Sequence, residues 1–222
     1  MKKLYLSILA LVLVGSFLMA IESEPSEIVG YVAYECVEGT TGNLNFISLP
    51  VMDPGTQRAY YEWASDLGNA YPGQIDAISK WVPSTQSWAA AFYDGVSWND
   101  DYLLEPGNSY MINVLSPITF YSVGALVPPI QYNLVEGTTG NLNFIMVPLN
   151  RSDLDWASVL GEDIGPVDAV SKWVAGTQSW SAAFYDGVSW NDDYATFIAM
   201  PLMVNITSGP VIWPDSRFET RN

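Results

Sequence analysis

The chain has 222 residues, with 24 Asp plus Glu against 8 Lys plus Arg, one Cys and no His, for a formal net charge of −16. Without His there is no Ser-His-Asp or Cys-His triad and no imidazole metal ligand; one Cys permits neither an internal disulfide nor a thiolate zinc site; and the negative charge repels phosphate backbones, which argues against a nucleic-acid partner. The aromatic content, 9 Trp included, argues against disorder despite the charge.

The N-terminus reads Met1-Lys2-Lys3, then an uncharged, largely apolar run from Leu4 to Ala20, then Glu22, Glu24 and Glu27. That layout predicts a secretory signal helix over residues 1–20, cleaved near Ala20. The alternative is a retained anchor, because about 17 to 20 apolar residues just span a bilayer. No Cys ends the run, which excludes a lipoprotein anchor. The expected location is secreted or cell-surface, with a bacterial type of export signal, and any membrane contact is through this segment alone. In an oxidising compartment Cys36 is expected as a buried thiol, since it lies in a strand-like stretch and Leu134 takes its place in the second copy described next.

The rest of the chain is one module written twice. Val37 to Ile47 recurs unchanged as Val135 to Ile145, and Asp76 to Tyr102 recurs as Asp168 to Tyr194 with differences only at Ile78/Val170, Pro83/Ala175, Ser84/Gly176 and Ala89/Ser181. Between the blocks copy one has Val51 to Gln74 and copy two the shorter Leu149 to Pro166, a length change that marks a surface loop. The copies are placed at 27–125 and 126–216, joined near Pro128-Pro129. A repeat of this length can hold its own small core, unlike a solenoid unit.

Within copy one, strands are predicted over Ile28 to Val37, Leu44 to Val51 (interrupted at Pro50), Ile75 to Val82, Ser87 to Tyr93, Ser109 to Val114 and Ile118 to Val123. Pro83-Ser84-Thr85-Gln86 and Asp94-Gly95 read as turns. One helix is predicted over Arg58 to Ala70, with Tyr60, Trp63 and Leu67 on its apolar face. Its equivalent is Asp153 to Leu160, with Asp153 as N-cap and Gly161 as stop. The expected fold is mainly β: two tandem homologous modules, sandwich- or barrel-like, each with one short helix. Two copies cannot close a propeller, which needs four or more blades.

Gly42-Asn43-Leu44-Asn45-Phe46-Ile47-Ser48-Leu49-Pro50, the Trp63-Ala64-Ser65-Asp66-Leu67 helix start, Trp81 with Thr85-Gln86-Ser87-Trp88, and Glu105-Pro106-Gly107-Asn108-Ser109-Tyr110 together resemble a module of large secreted bacterial surface proteins. In that module Asn-Leu-Ile-Ser-Leu-Pro, Trp-x-x-x-Thr-Gln-x-Trp and a Pro-Gly-x-Gly-Tyr strand recur. The resemblance implies a β-rich fold beside adhesion-type domains and carries no established activity. Copy two departs from the pattern where Ile198-Ala199 replace Pro106-Gly107 and Leu202 replaces Tyr110.

Two constellations carry chemistry. Asp94, Asn99, Asp100 and Asp101, repeated as Asp186, Asn191, Asp192 and Asp193, could supply oxygen ligands for calcium, although the spacing is not that of an EF-hand; the plainer alternative is a solvated hairpin turn. Trp98 and Trp190, each following an Asp-Gly turn, are the candidates for exposed glycan-stacking indoles, with Trp88 and Trp180 beside them; the alternative is that the indoles, Trp81 and Trp173 included, fill two small cores. Catalysis would need a pair of carboxylates with one raised pKa, and hydrated turn carboxylates do not provide that. Asp76 and Lys80, on one strand, could form a surface ion pair. Asn150-Arg151-Ser152 and Asn205-Ile206-Thr207 match the glycosylation acceptor pattern by chance. The expected function is therefore a non-catalytic structural or adhesion module that binds a glycan or a surface protein, with tandem copies raising avidity. The alternatives are a carbohydrate-binding protein using Trp98 and Trp190, and a carboxylate hydrolase.

Overall fold

The computed structural model describes residues 29–214, so the predicted signal helix over residues 1–20 lies outside the described residues. In copy one the elements are β1 (Val29–Cys36), β2 (Leu44–Ser48), β3 (Val51–Met52), α1 (Ala64–Ala70), β4 (Ile75–Val82), β5 (Ser87–Tyr93), β6 (Trp98–Asn99), β7 (Ser109–Val114) and β8 (Ile118–Leu126). In copy two they are β9 (Tyr132–Leu134), β10 (Leu142–Met146), α2 (Ala157–Ile164), β11 (Val167–Val174), β12 (Ser179–Tyr185), β13 (Trp190–Asn191), β14 (Pro201–Ile206) and β15 (Val211–Trp213). The fold is mainly β. Two five-stranded antiparallel sheets share one strand order, β2-β7-β4-β5-β6 and β10-β14-β11-β12-β13, and each is accompanied by a smaller antiparallel sheet, β1-β8-β3 or β9-β15.

Each large sheet packs its buried face with a helix and the small sheet around a hydrophobic cluster. Ile47, Ile78, Ile112, Leu67 and Phe120 form the first; Ile145, Val170, Val204, Leu160 and Trp213 form the second. Trp213 is the one tryptophan among the buried core residues. Of the repeated indoles, Trp98 and Trp190 pack, partly buried, against the two clusters, whereas aliphatic side chains with Tyr110, Phe120 and Tyr132 fill the buried interior. Cys36 is buried at 2% exposure, and burial, followed by the charge of Glu35, pushes its thiol up to about 12.

Three local predictions need correction. The first helix begins at Ala64, not Arg58, because Trp63 is extended (φ −109°, ψ 155°) and bridges to Leu103, while Tyr60 upstream is 63% exposed. The second runs Ala157–Ile164, because Trp156 is likewise extended and bridges to Ala195; Asp153, expected as its N-cap, is instead bound by the guanidinium of Arg151 at 2.8 Å. Gly161 lies inside this helix, which stops at Gly165 with φ +100°. Asp76 does not pair with Lys80. It sits at a bulge between β4 and β7, where its carboxylate accepts a 2.6 Å bond from the Asn113 amide; Asp168 and Asn205 repeat this bond.

Candidate functional site

The acidic loops close upon themselves. Asp94 accepts from the backbone N–H groups of Val96 and Ser97 at 2.8 Å through one oxygen and from the Asn99 amide at 3.0 Å through the other. Asp186 repeats this set on Val188, Ser189 and Asn191. The Ser97 and Ser189 backbone donors contribute most to holding these two carboxyls below the usual carboxylate range. Asp101 turns the opposite way and satisfies the start of α1, accepting from Ser65 N at 3.0 Å and from Ser65 Oγ at 2.5 Å; Asp193 does the same for Ser158 at the start of α2. Asp100 and Asp192 are exposed and sit at φ +53° and +54°. The carboxylates of Asp94 and Asp101, and of Asp186 and Asp193, therefore serve different partners, and among the described residues no group of three or more acidic or Cys side chains is placed to hold a metal ion. The residues expected as calcium ligands, Asp94, Asn99, Asp100 and Asp101 with Asp186, Asn191, Asp192 and Asp193, thus divide between bonds within their own loop, bonds to a helix start and, for Asp100 and Asp192, exposed positions.

Trp98 packs against the first core cluster. It is half-buried against α1, where a Cβ added to Gly68 would lie 1.9 Å from the indole ring, and its Nε1 donates to Asn69 at 3.1 Å. Trp190 packs on Gly161 of α2 in the same way. These glycines stand in helix interiors because an indole occupies the space of their side chains, which is why Gly161 does not end its helix. The exposed apolar groups of these loops are instead Val96 and Val188, each 87% exposed.

The remaining repeated residues meet at a seam between the copies, arranged about a pseudo-two-fold axis. The Gln86 side chain accepts from Leu142 N at 2.8 Å and donates to Leu142 O at 3.0 Å; Gln178 does the same to Leu44 at 2.8 and 2.9 Å. Trp81 Nε1 donates to Leu142 O and Trp173 Nε1 to Leu44 O, each at 2.8 Å. Leu44 and Leu142 lie on β2 and β10, which are the outer strands of the two large sheets. Their outward N–H and C=O groups would otherwise offer an open edge, and the amide of a glutamine supplies the donor and acceptor that another strand would bring. Gln86 and Gln178 adopt φ +52° and +53°, an unusual conformation for a non-glycine residue, at the turn that aims them across.

Backbone contacts complete the seam. Thr40 N donates to Gly176 O and Thr138 N to Ser84 O at 3.1 and 3.3 Å. Gly39 and Gly137 come so close to the opposite copy that an added Cβ would lie 2.5 Å from Ala175 O or 2.4 Å from Pro83 O. Between them the Phe46 and Phe144 rings meet edge to face at 5.3 Å, flanked by Trp88 and Trp180 with ring centroids 5.1 to 5.7 Å from Phe144. Trp88 and Trp180, expected beside a glycan platform, are thus parts of this junction. The sequence signal for it lay in Thr40 and Gln86, polar turn residues that recur unchanged; Pro83/Ala175 and Ser84/Gly176, which differ, join the seam only through backbone carbonyls.

No protein-family model, curated protein or solved structure matches the chain.

Proposed function

We propose that the chain is an exported, non-catalytic structural or adhesion unit acting in the medium or on the cell surface. The observation that supports this reading best is the seam: the repeated polar and aromatic residues are spent on joining two β-rich copies into one body, as a load-bearing or surface-presenting element requires. The loop carboxylates bear on the same point. Asp94 and Asp186 are held in the ionised form by backbone donors, the opposite of the raised pKa that a general acid needs. Export rests on the layout of residues 1–20; among the described residues no helix is long and apolar enough to cross a membrane.

The test is direct. Antibody labelling of intact producing cells, with fractionation of cells and medium, should find the chain outside the cytosol, and the purified full chain should coat cell envelopes or matrix-bearing surfaces without turning over glycan or peptide libraries. Turnover that is lost when Asp100, Asp101, Asp192 and Asp193 are replaced by Ala would refute this reading in favour of a carboxylate hydrolase.

A further inference from the structure

The pseudo-two-fold axis relates two junctions at the rim of the seam, and their chemistry differs. At one, a cleft of about 460 Å³ opens between the copies, lined by Trp81, Glu105 and Asn108 from copy one and by Gln131, Asn133 and Phe144 from copy two. The backbone fixes the equivalent positions at the other junction. Gly107 N and Ala199 N donate to Leu49 O and Val147 O, Asn108 N and Met200 N donate to Glu105 O and Phe197 O, and the Tyr132 and Tyr34 hydroxyls donate to Gly107 O and Ala199 O. Under this correspondence Glu105 becomes Phe197, Asn108 becomes Met200, Gln131 becomes Ala33 and Asn133 becomes Glu35. The second junction closes by the same bonds without the first one's polar set, so joining the copies does not require that set.

Those polar groups retain bonding capacity toward the cleft. Glu105 uses one carboxylate oxygen on the Asn108 amide at 2.7 Å, and Gln131 uses its NH₂ on Pro214 O at 3.2 Å, which leaves its carbonyl. Among the described residues the Asn133 side chain makes no hydrogen bond, and Lys80, at the same cleft, makes no ion pair and rests 4.3 Å over the Tyr102 ring. Side-chain amides that both donate and accept match hydroxyl groups that do the same, and aromatic walls match the C–H faces of a sugar ring. Lys80 and Glu105 offset each other locally, and the net charge of −16 disfavours acidic ligands. A partly polar, aromatic-walled cleft of this size falls in the range of small-ligand sites. We propose that it binds a neutral oligosaccharide, which gives the adhesion unit its partner class and rests on that reading.

The test titrates the full chain by calorimetry and by the shifts of its indole N–H resonances, with cellohexaose, xylohexaose, maltohexaose, mannohexaose and chitohexaose as probes at up to about 10 mM. At least one should bind saturably. Gln131→Ala with Asn133→Ala, both at exposed positions, should leave the melting temperature unchanged and weaken binding by about tenfold or more, while Glu35→Ala at the mirror junction should leave binding as it was. If the double variant melts early, Glu105→Gln serves in its place with the same expectation. Binding by none of the five probes, or unchanged binding in the variant, overturns the proposal. A chain that adheres to surfaces yet binds none of the probes sinks the cleft and leaves the adhesion reading standing; one that binds a probe yet coats no surface does the reverse.

Discussion

Val37–Ile47 and Val135–Ile145 are identical and each meets the β-turn holding Gln178 or Gln86 of the opposite copy, whereas Glu105, Asn108, Gln131 and Asn133 at the rim of the seam all differ from Phe197, Met200, Ala33 and Glu35. Both sets lie within the same junction, so burial or strand propensity alone does not separate them. The difference is one of reciprocity. Gln86 reads the backbone at Leu142 while Gln178 reads it at Leu44, so each copy is at once the reader and the surface read. A side-chain change at either glutamine breaks one half of a matched pair. At the rim each side chain belongs to one junction only and is free to diverge.

The sharpest way to break the matched half is through its glycines. Gly39→Ala with Gly137→Ala would push a methyl group against a backbone carbonyl on each side, and should cost about 2 to 6 kcal/mol in chemical denaturation, with each single variant near half of that. Strongly unequal single effects would refute the pseudo-symmetry. Gln86→Ala and Gln178→Ala each strip a donor and an acceptor from a strand edge, and should cost about 1 to 3 kcal/mol apiece and raise the tendency to self-associate in light scattering. Asp101→Ala and Asp193→Ala uncap α1 and α2, and should each cost about 1 kcal/mol, equal within error because the two caps have the same geometry.

Acid should act on both copies together. Asp94 and Asp186 are bound by backbone N–H groups in the folded chain and titrate below their unfolded values, so their stabilisation is complete above about pH 4 and is lost as the pH falls through the depressed values. Urea midpoints measured against pH should decline on the acid side, and Asp94→Asn with Asp186→Asn should flatten that decline. The smallest effect is expected at Cys36, whose buried thiol is pushed up to about 12 by burial: thiol reagents at neutral pH should label it only after unfolding, and Cys36→Ala should leave the oligomeric state unchanged.

Much of the fold was legible because it is written in local patterns. The largely apolar runs Ile75–Val82 and Ser87–Tyr93, with the Pro83–Gln86 turn between them, read directly as the β4-β5 hairpin. The helix starts were not legible, since Trp63 and Trp156 carry helical spacing but are held extended by bridges to Leu103 and Ala195, far along the chain. The bonding of the acidic loops was not legible either, since spacing cannot reveal that Asp94 turns back on its own loop while Asp101 reaches a helix start. The neighbours of the indoles were not legible for a related reason. What makes Trp98 half-buried is an absent side chain at Gly68, and what makes Trp81 part of a junction is a carbonyl at Leu142 in the other copy.

A face that fits only its own duplicate also sets a rule of arithmetic. Once β2 and β10 have each been met by a glutamine from the opposite copy, this junction has used both of its halves, as in a molecular two-fold. A third copy appended to this chain would find no vacant mate and would carry a bare strand margin into solution. A protein of this design would therefore lengthen safely by even steps, two copies at a time.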